Sequence, residues 1–541
     1  MNLLKTEKYI VYVATIITLI FTPMNFDALI IPKITLLFGL ALFLLPEIFA
    51  NLRSLLSFRS TTFLTIIGIL FILQIIIVMI LSPAPFEQEF FGRTGRGMGF
   101  TTLFSMIIIL VASVVIFQFD SSWLIIKWIA IAGLFSSIYA LTQRAGLDPF
   151  NWDSKTNGII GTIGNPNFQS SFTIMTLLPA ILFFWSISGR NLTVPIVSII
   201  FLATLYFTQS TQGYVTLIAS FLVLSLNYLW FKNRIFFSSL ISAGTVASIF
   251  ALAGMINKGP LSYYLYKLSV QSRGDFWRSA IKTANDNPLF GTGLDSFGDS
   301  YLIYKDKAKV EMTDNTHNYF LEYAATGGYA LAILYLLLTL VTLYSFLSLQ
   351  RKLKEFNTKL TVIFCAWVVF QLQSIISPGT ITFLVWNAII SGYLIGANAK
   401  YNSSQQNNRV INKDTSFPFR SISTLLFIFS LIIMLPLFNS DRKLQAGVAK
   451  GDATIVMQAL TSYPESSVKY NLFIQQLFAS NLFPQALEMG RAAVKFNPNA
   501  VSGWAAIFVN PQAPLQERLA AKGEILRLDP MNTEVFSFKL G

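Results

Sequence analysis

The feature that most restricts this chain is a series of apolar runs about 20 residues long, the length a helix needs to cross the hydrocarbon core of a bilayer. Runs such as 107–110, Ile-Ile-Ile-Leu, do not alternate and so do not read as strands of a membrane barrel. Hydropathy predicts about thirteen spanning helices. They lie near residues 9–24, 29–49, 62–81, 100–118, 122–142, 168–187, 193–208, 213–231, 235–255, 319–347, 360–377, 380–398 and 421–438. The first run has no small-residue cleavage site with a soluble domain behind it, so it reads as a membrane helix and not as a removable signal. The expected fold class is all-α, a polytopic helical membrane protein.

Charge sets the expected orientation. The net charge of +13 would suggest nucleic acid in a soluble protein. Here the basic residues fall in alternate loops, as cytoplasmic loops do, and no nucleic acid is expected. Arg53, Arg59, Arg190, Lys232, Arg234, Arg351, Lys352, Lys354, Lys359, Lys400, Arg409, Lys413 and Arg420 then lie inside, with the N-terminus. The expected location is the inner (cytoplasmic) membrane. Residues 1–440 would form the membrane domain, with a large outer loop at 256–316. Residues 441–541 would form a small extracytoplasmic helical domain. Within it, FNPNAVSGW (496–504) and LDPMNTEVF (528–536) fit the boundaries of tetratricopeptide-like helix pairs as well as those of a plain stack of hairpins. The single cysteine, Cys365, sits in an apolar run and reads as a packing residue.

Chemistry is expected at the outer boundary. The only histidine, His317, stands where the long loop enters the tenth helix, in TDNTHNYFLEYAATGGYA. An isolated histidine is more often structural than catalytic. This one is placed to meet both a lipid-borne and a water-borne reactant, and its unperturbed pKa of about 6.5 suits a general base. Asn318 and Glu322 follow it, and a glutamate there is costly unless it is paired or lines a cavity. Outer segments also carry more cations than such loops usually do: Lys33, Arg93, Arg96, Arg144, Lys155, Arg273 and Arg278. A helix through QSRGDFWRSAI would place Arg273 and Trp277 on one face. Clustered arginines suit a phosphate or diphosphate, because the guanidinium bonds phosphate oxygens bidentately; contact with anionic membrane lipid explains single ones equally well. Asp286, Asp295, Asp299, Glu311 and Asp314 do not have the spacing of a calcium loop, so no metal or other cofactor is expected.

Several segments together resemble the O-antigen ligase/polymerase superfamily, membrane glycosyltransferases of the GT-C type. They are Pro32–Lys33, the Arg-Gly stretch around Arg96, GTIGNPNFQSSF (161–172), RGDFW…NPLFGTGLDSF (273–297) and HNYFLEYAATGGYA (317–330). The resemblance implies metal-free, inverting transfer of a glycan from an undecaprenyl-diphosphate carrier to a glycan, lipid or protein acceptor. It implies His317 as base and Arg273 as holder of the leaving diphosphate. Arg96, Arg278, Lys33 and Arg93 would be further donor contacts, with Asn318, Glu322, Trp277 and Gln212 in support. The chain departs from the pattern at TQSTQGYV, where Gln212 stands in place of an arginine found in many relatives. Either Arg96 or Arg278 substitutes, or the donor is held differently.

Ligation, polymerisation and protein O-glycosylation share this scaffold. Two other classes compete with it: a glycolipid flippase or transporter, which would carry its functional charges near the bilayer midplane, and a scaffold whose tail gathers a protein partner.

Overall fold

The computed structural model describes residues 3–150, 152, 157–188, 192–307, 310–406 and 417–538, and regular structure among them is helical throughout. Lys155, Arg190, Arg409 and Lys413 lie outside the described residues. The helices before the long connection are α1 (Leu3–Leu19), α2 (Ile30–Ala50), α3 (Arg59–Leu81), α4 (Phe100–Ile116), α5 (Ser122–Arg144), α6 (Pro166–Ser188), α7 (Thr193–Phe207), α8 (Thr211–Lys232) and α9 (Arg234–Met255). Within the connection lies α10 (Leu268–Asp286). Then follow α11 (Tyr319–Lys352), α12 (Thr358–Ile376), α13 (Ile381–Gln406) and α14 (Phe417–Lys450).

Each expected span is a helix. Ten are long and apolar enough to cross a membrane; α1, α4 and α7 are shorter, at 17, 17 and 15 residues. The chain is thus a multi-pass helical membrane protein. At its centre α13 is buried along its whole apolar length and packs chiefly on α4. Gly392 and Gly396 permit that contact, since a Cβ at either would stand 2.4 Å from the Leu110 carbonyl oxygen or 2.6 Å from that of Val114. Two small residues one turn apart are a usual way for membrane helices to approach closely. By contrast, none of the apolar stretch of α9 is buried, and that helix rests mainly on α8.

Because the helices alternate in direction, the described residues of the connections 20–29, 82–99, 145–165, 256–318 and 377–380 gather at one end. The basic connections around Arg53, Lys232 and Lys354 lie at the other. The long connection folds at the loop-rich end, as its aromatic content predicts: Phe276, Phe297, Tyr301 and Leu302 form a small core with Ala325 of α11. Its glycine-rich turn at 287–293 inserts into a break in α11. Gly328 there has φ 78° and ψ 169°, which frees the backbone around it. Thr292 N donates to Ala325 O (3.0 Å), Gly293 N to Thr326 O (3.1 Å) and Tyr329 N to Pro288 O (2.9 Å). Gln74 Nε2 of α3 caps the junction, donating to Leu289 O and Gly327 O. A Cβ on Gly291 would fall 2.4 Å from the backbone of Thr326, and one on Gly328 2.4 Å from Leu289 O. NPLFGTG and ATGGYA are therefore two halves of one joint.

The boundary expected at residue 440 falls inside α14, which continues unbroken to Lys450. Beyond it come α15 (Ala453–Leu460), α16 (Ser467–Ala479), α17 (Phe483–Phe496), α18 (Val501–Val509), α19 (Leu515–Leu528) and α20 (Thr533–Ser537). From α16 to α20 each helix packs on the next, around two small cores, one including Tyr470, Ile474 and Met489, the other Ile507, Ala521 and Ile525. This layer rests on the loop-rich end. Lys469 pairs with Asp441 (2.8 Å), whose other oxygen accepts from Asp27 N; Lys305 of the long connection pairs with Asp529 (2.7 Å). Both pairs are nearly inaccessible to solvent, where loss of one partner strands a charge at a cost of about 3–5 kcal/mol. Lys305→Ala should loosen α19 by about that amount, read as faster amide exchange over 515–528. The double variant Lys305→Met/Asp529→Leu should recover most of the protection; equal loss in both would assign the effect to something other than the stranded charge.

Candidate active site at the loop-rich end

His317 lies one residue before the N-cap of α11. Asn318 caps that helix, its side-chain oxygen accepting from Leu321 N (3.1 Å), while its Nδ2 donates to Ile375 O (3.1 Å). The turn before it is tied by polar side chains: His317 N donates to Asn315 Oδ1 (3.0 Å), and Thr316 N to Glu322 Oε2 (2.8 Å). These bonds hold His317 at φ 56°, a left-handed conformation uncommon outside glycine. Asp295, on the same cavity, has φ 54°. Two such residues on one cavity mark it as a place where surrounding structure imposes the backbone conformation, a pattern enriched at functional sites.

The cavity is lined by His317, Arg96, Asp295, Asn318, Glu322 and Gly379 among others, and holds about 30 Å³, room for a water or two. The imidazole of His317 stacks on Phe276 of α10 (centroids 5.4 Å apart), and its Nδ1 is buried without a hydrogen-bond partner. Burial lowers its pKa to about 4, with the nearby positive charges of Arg273 and then Arg96 acting in the same direction. The ring is therefore neutral near pH 7, with a nitrogen free to accept a proton.

Arg273 precedes Phe276 by one turn on α10. Its Nε donates to Ile376 O (2.9 Å) and its Nη1 to Ser269 O (2.9 Å). It makes no ion pair among the described residues. Of its five N–H groups, three remain for a ligand. Arg96 is engaged instead: Nε and Nη2 grip Asp314 at 3.1 and 2.8 Å. Burial alone would raise the Asp314 carboxyl, but Arg96 and Arg93 outweigh it and hold that group well below the usual carboxylate range. Asp295 behaves oppositely. Burial raises its pKa to about 7, although it accepts from Arg93 N (2.7 Å) and Met98 N (3.0 Å) and so fixes the Arg-Gly loop.

The other expected site residues are placed differently. Arg93 pairs with Asp299 (2.9 Å) behind the cavity, and Asn497 of the tail reaches the same carboxylate (3.0 Å). Arg278 lies on the surface, bonded to Asp275 and Asp306. Lys33 is buried among three oxygens, those of Thr162, Thr18 and Thr382, and does not line the cavity. Trp277 packs beside Phe276 and Tyr301. Gln212 is bonded to Ser171, Gln373 and Ser377, a neutral network that does not line the cavity. Of Arg96 and Arg278, Arg96 lines the cavity and Arg278 does not. Among the described residues no three of His, Cys, Asp and Glu converge as a metal-binding set.

Sequence reasoning missed the segment 375–380. Its carbonyls hold Asn318 and Arg273, Ser377 donates to Gln212 (3.0 Å), and Thr380 N donates to Tyr319 Oη (3.2 Å). The Pro-Gly at 378–379 signals a turn but says nothing of what the turn touches. Asp314, in sequence only a candidate metal ligand, is the partner of Arg96.

The fold and site define a polytopic membrane protein with a small, largely closed site at one end of its helical bundle, where charged side chains meet an apolar lining. Residues 196–336, roughly a quarter of the chain, match the family model described as O-antigen ligase. No curated protein matches the chain. The matched stretch includes Arg273, Phe276 and His317, and over that length the chain is similar to the O-antigen ligase family.

A depressed histidine pKa has a consequence for stability. Between about pH 6.5 and 4 the unfolded chain binds a proton at this residue that the folded chain does not. Stability is therefore intact above the unfolded value and lost as pH falls through this window, by on the order of 2–3 kcal/mol. Melting temperatures of wild type and His317→Gln at pH 7, 5.5 and 4.5 should diverge in that sense, with the wild type falling more steeply.

Proposed function

We propose that this protein is a membrane glycosyltransferase that moves a glycan from an undecaprenyl-diphosphate carrier to an acceptor hydroxyl on the outer face of the cytoplasmic membrane. The observation that carries this reading is the pairing of a neutral, proton-accepting His317 with an Arg273 that keeps free N–H groups, both inside the stretch matched by the O-antigen ligase family. Location at one end of the bundle supports transfer over transport, since a flippase would use charges near the midplane.

In the proposed reaction the acceptor oxygen attacks the anomeric carbon from the side opposite the diphosphate. The new glycosidic C–O bond forms as the C–O bond to the diphosphate breaks. The hydroxyl proton passes to His317. The electron pair leaves on the diphosphate oxygen, where the Arg273 guanidinium meets the developing charge. Donor binding and base strength are coupled. Arg273 and Arg96 depress the histidine pKa; a diphosphate resting on them cancels part of their field, so the imidazole becomes a better base once the donor is in place. Asp314 occupies the Arg96 fork that a phosphate would take, and donor entry displaces or shares it. The helical tail, in this reading a tetratricopeptide-like unit, stands beside the site and would present an acceptor or a partner protein.

Purified protein in nanodiscs, given an undecaprenyl-diphosphate oligosaccharide and native membrane extract, should transfer glycan with chelator present. His317→Ala should lower kcat about 10²- to 10⁴-fold, and Arg273→Ala about 10²- to 10³-fold. Full activity in both variants would sink the assignment. Labelled glycolipid crossing the bilayer with no transfer would favour the flippase.

A further inference from the structure

At the end of the bundle opposite His317, α3, α11 and α13 part to leave a groove of about 770 Å³. That volume is within the range of sites that take a small organic ligand. The groove is built from two kinds of surface. Its length is apolar: Phe63 of α3 faces Leu337, Leu340, Val341 and Tyr344, which recur at helical spacing along α11. Its mouth is polar and cationic, with Arg59 and Ser60 at the start of α3 and Lys352 at the end of α11. From residue 337 to residue 352 the wall runs about 22 Å along the helix axis. One bilayer leaflet has an apolar depth of about 15 Å. An acyl chain therefore fits the wall while its headgroup stays at the mouth.

Among the described residues the charges at the mouth are not neutralised by an ion pair. Arg59 is exposed and makes no ion pair or side-chain hydrogen bond among the described residues. Lys352 Nζ donates to Asn398 O (3.2 Å) and Asn398 Oδ1 (2.8 Å) and keeps a third N–H. Among the described residues no carboxylate lines the groove. An amine-bearing headgroup would find no acceptor of opposite charge there and would meet two cations. A headgroup with net negative charge would meet both favourably.

We infer that this groove is a binding site for an anionic diacyl phospholipid, its phosphate between Arg59 and Lys352 and one acyl chain along Phe63, Leu340 and Tyr344. The site lies about 27 residues along the chain from His317 to Tyr344, roughly 40 Å at the helical rise. It is thus separate from the proposed transfer chemistry and does not depend on it. Occupancy would fill the opening between α3, α11 and α13, the same three helices that carry the joint at Gly328 and the central packing of the bundle.

The test is retention of lipid by the full-length purified protein, followed by native mass spectrometry during titration with phosphatidylglycerol or with phosphatidylcholine of the same chains. Phosphatidylglycerol should be retained preferentially. Arg59→Gln, at an exposed position, should weaken that retention about fivefold, and Arg59→Gln/Lys352→Gln by about the square of that. Leu340→Trp, which fills the groove without changing charge, should weaken both lipids. Equal retention of the two lipids by wild type, or an unchanged preference in Arg59→Gln, overturns the proposal. So does displacement of the lipid by millimolar inorganic phosphate, which would make this a phosphate site with incidental apolar walls.

Discussion

The joint between the turn at 287–293 and the break in α11 at Gly328 is the contact on which the rest of the site depends. A membrane helix cannot leave backbone N–H and C=O groups unpaired without a penalty of several kcal/mol each. At Gly328 the helix gives up its own bonds, and the turn supplies replacements through Thr292, Gly293 and Pro288. The exchange works only if both strands of backbone come within hydrogen-bond reach, which the absence of side chains at Gly291 and Gly328 allows. Once the turn is locked, α10 has a fixed departure point. Phe276 then lands on the imidazole of His317, and Arg273, one turn earlier, lands on the carbonyl of Ile376.

Around that frame, charge is arranged by partnership and burial. Arg96 and Asp314 neutralise one another by a two-point grip, while Asp295 takes two backbone N–H groups and keeps a pKa near 7 because burial dominates. Glu89, whose carboxylate receives Leu294 N, is raised to about 7 for the same reason. Carboxyl groups poised to lose charge therefore sit beside arginines that cannot. The balance leaves the region around His317 positive, and this field, together with burial, keeps the ring neutral. An anion entering such a site would relieve the excess charge and restore basicity to the ring, which links ligand recognition to proton transfer through electrostatics alone.

The tail is joined to this network directly. Asn497, just past the end of α17, donates to Asp299, the carboxylate that also holds Arg93, and Thr94 and Ser466 share a hydrogen bond at 2.8 Å. Val501 of α18 packs against the Phe276 and Tyr301 cluster. The helical layer thus braces the loops that carry the cavity, without contributing to its lining.

The thirteen helices, their alternation, and the concentration of polar motifs at one end were legible in the sequence. Each follows from a local rule: apolar length for a span, basic residues for one set of loops, glycine and asparagine for turns. His317, Arg273 and Trp277 were likewise traceable, since a helix through QSRGDFWRSAI puts positions 273 and 277 on one face, whereas the seat of the imidazole on Phe276 was not. What tertiary structure alone decided was which cations remained free. Lys33, Arg93, Arg96, Arg273 and Arg278 look alike along the chain. Packing gave Lys33 to buried carbonyls, Arg93 to Asp299, Arg278 to surface carboxylates and Arg96 to Asp314, and left Arg273 with only two backbone oxygens. A charge's partner is set by which helices meet at its end of the bundle, often some 200 residues away in the chain, and no local pattern carries that information.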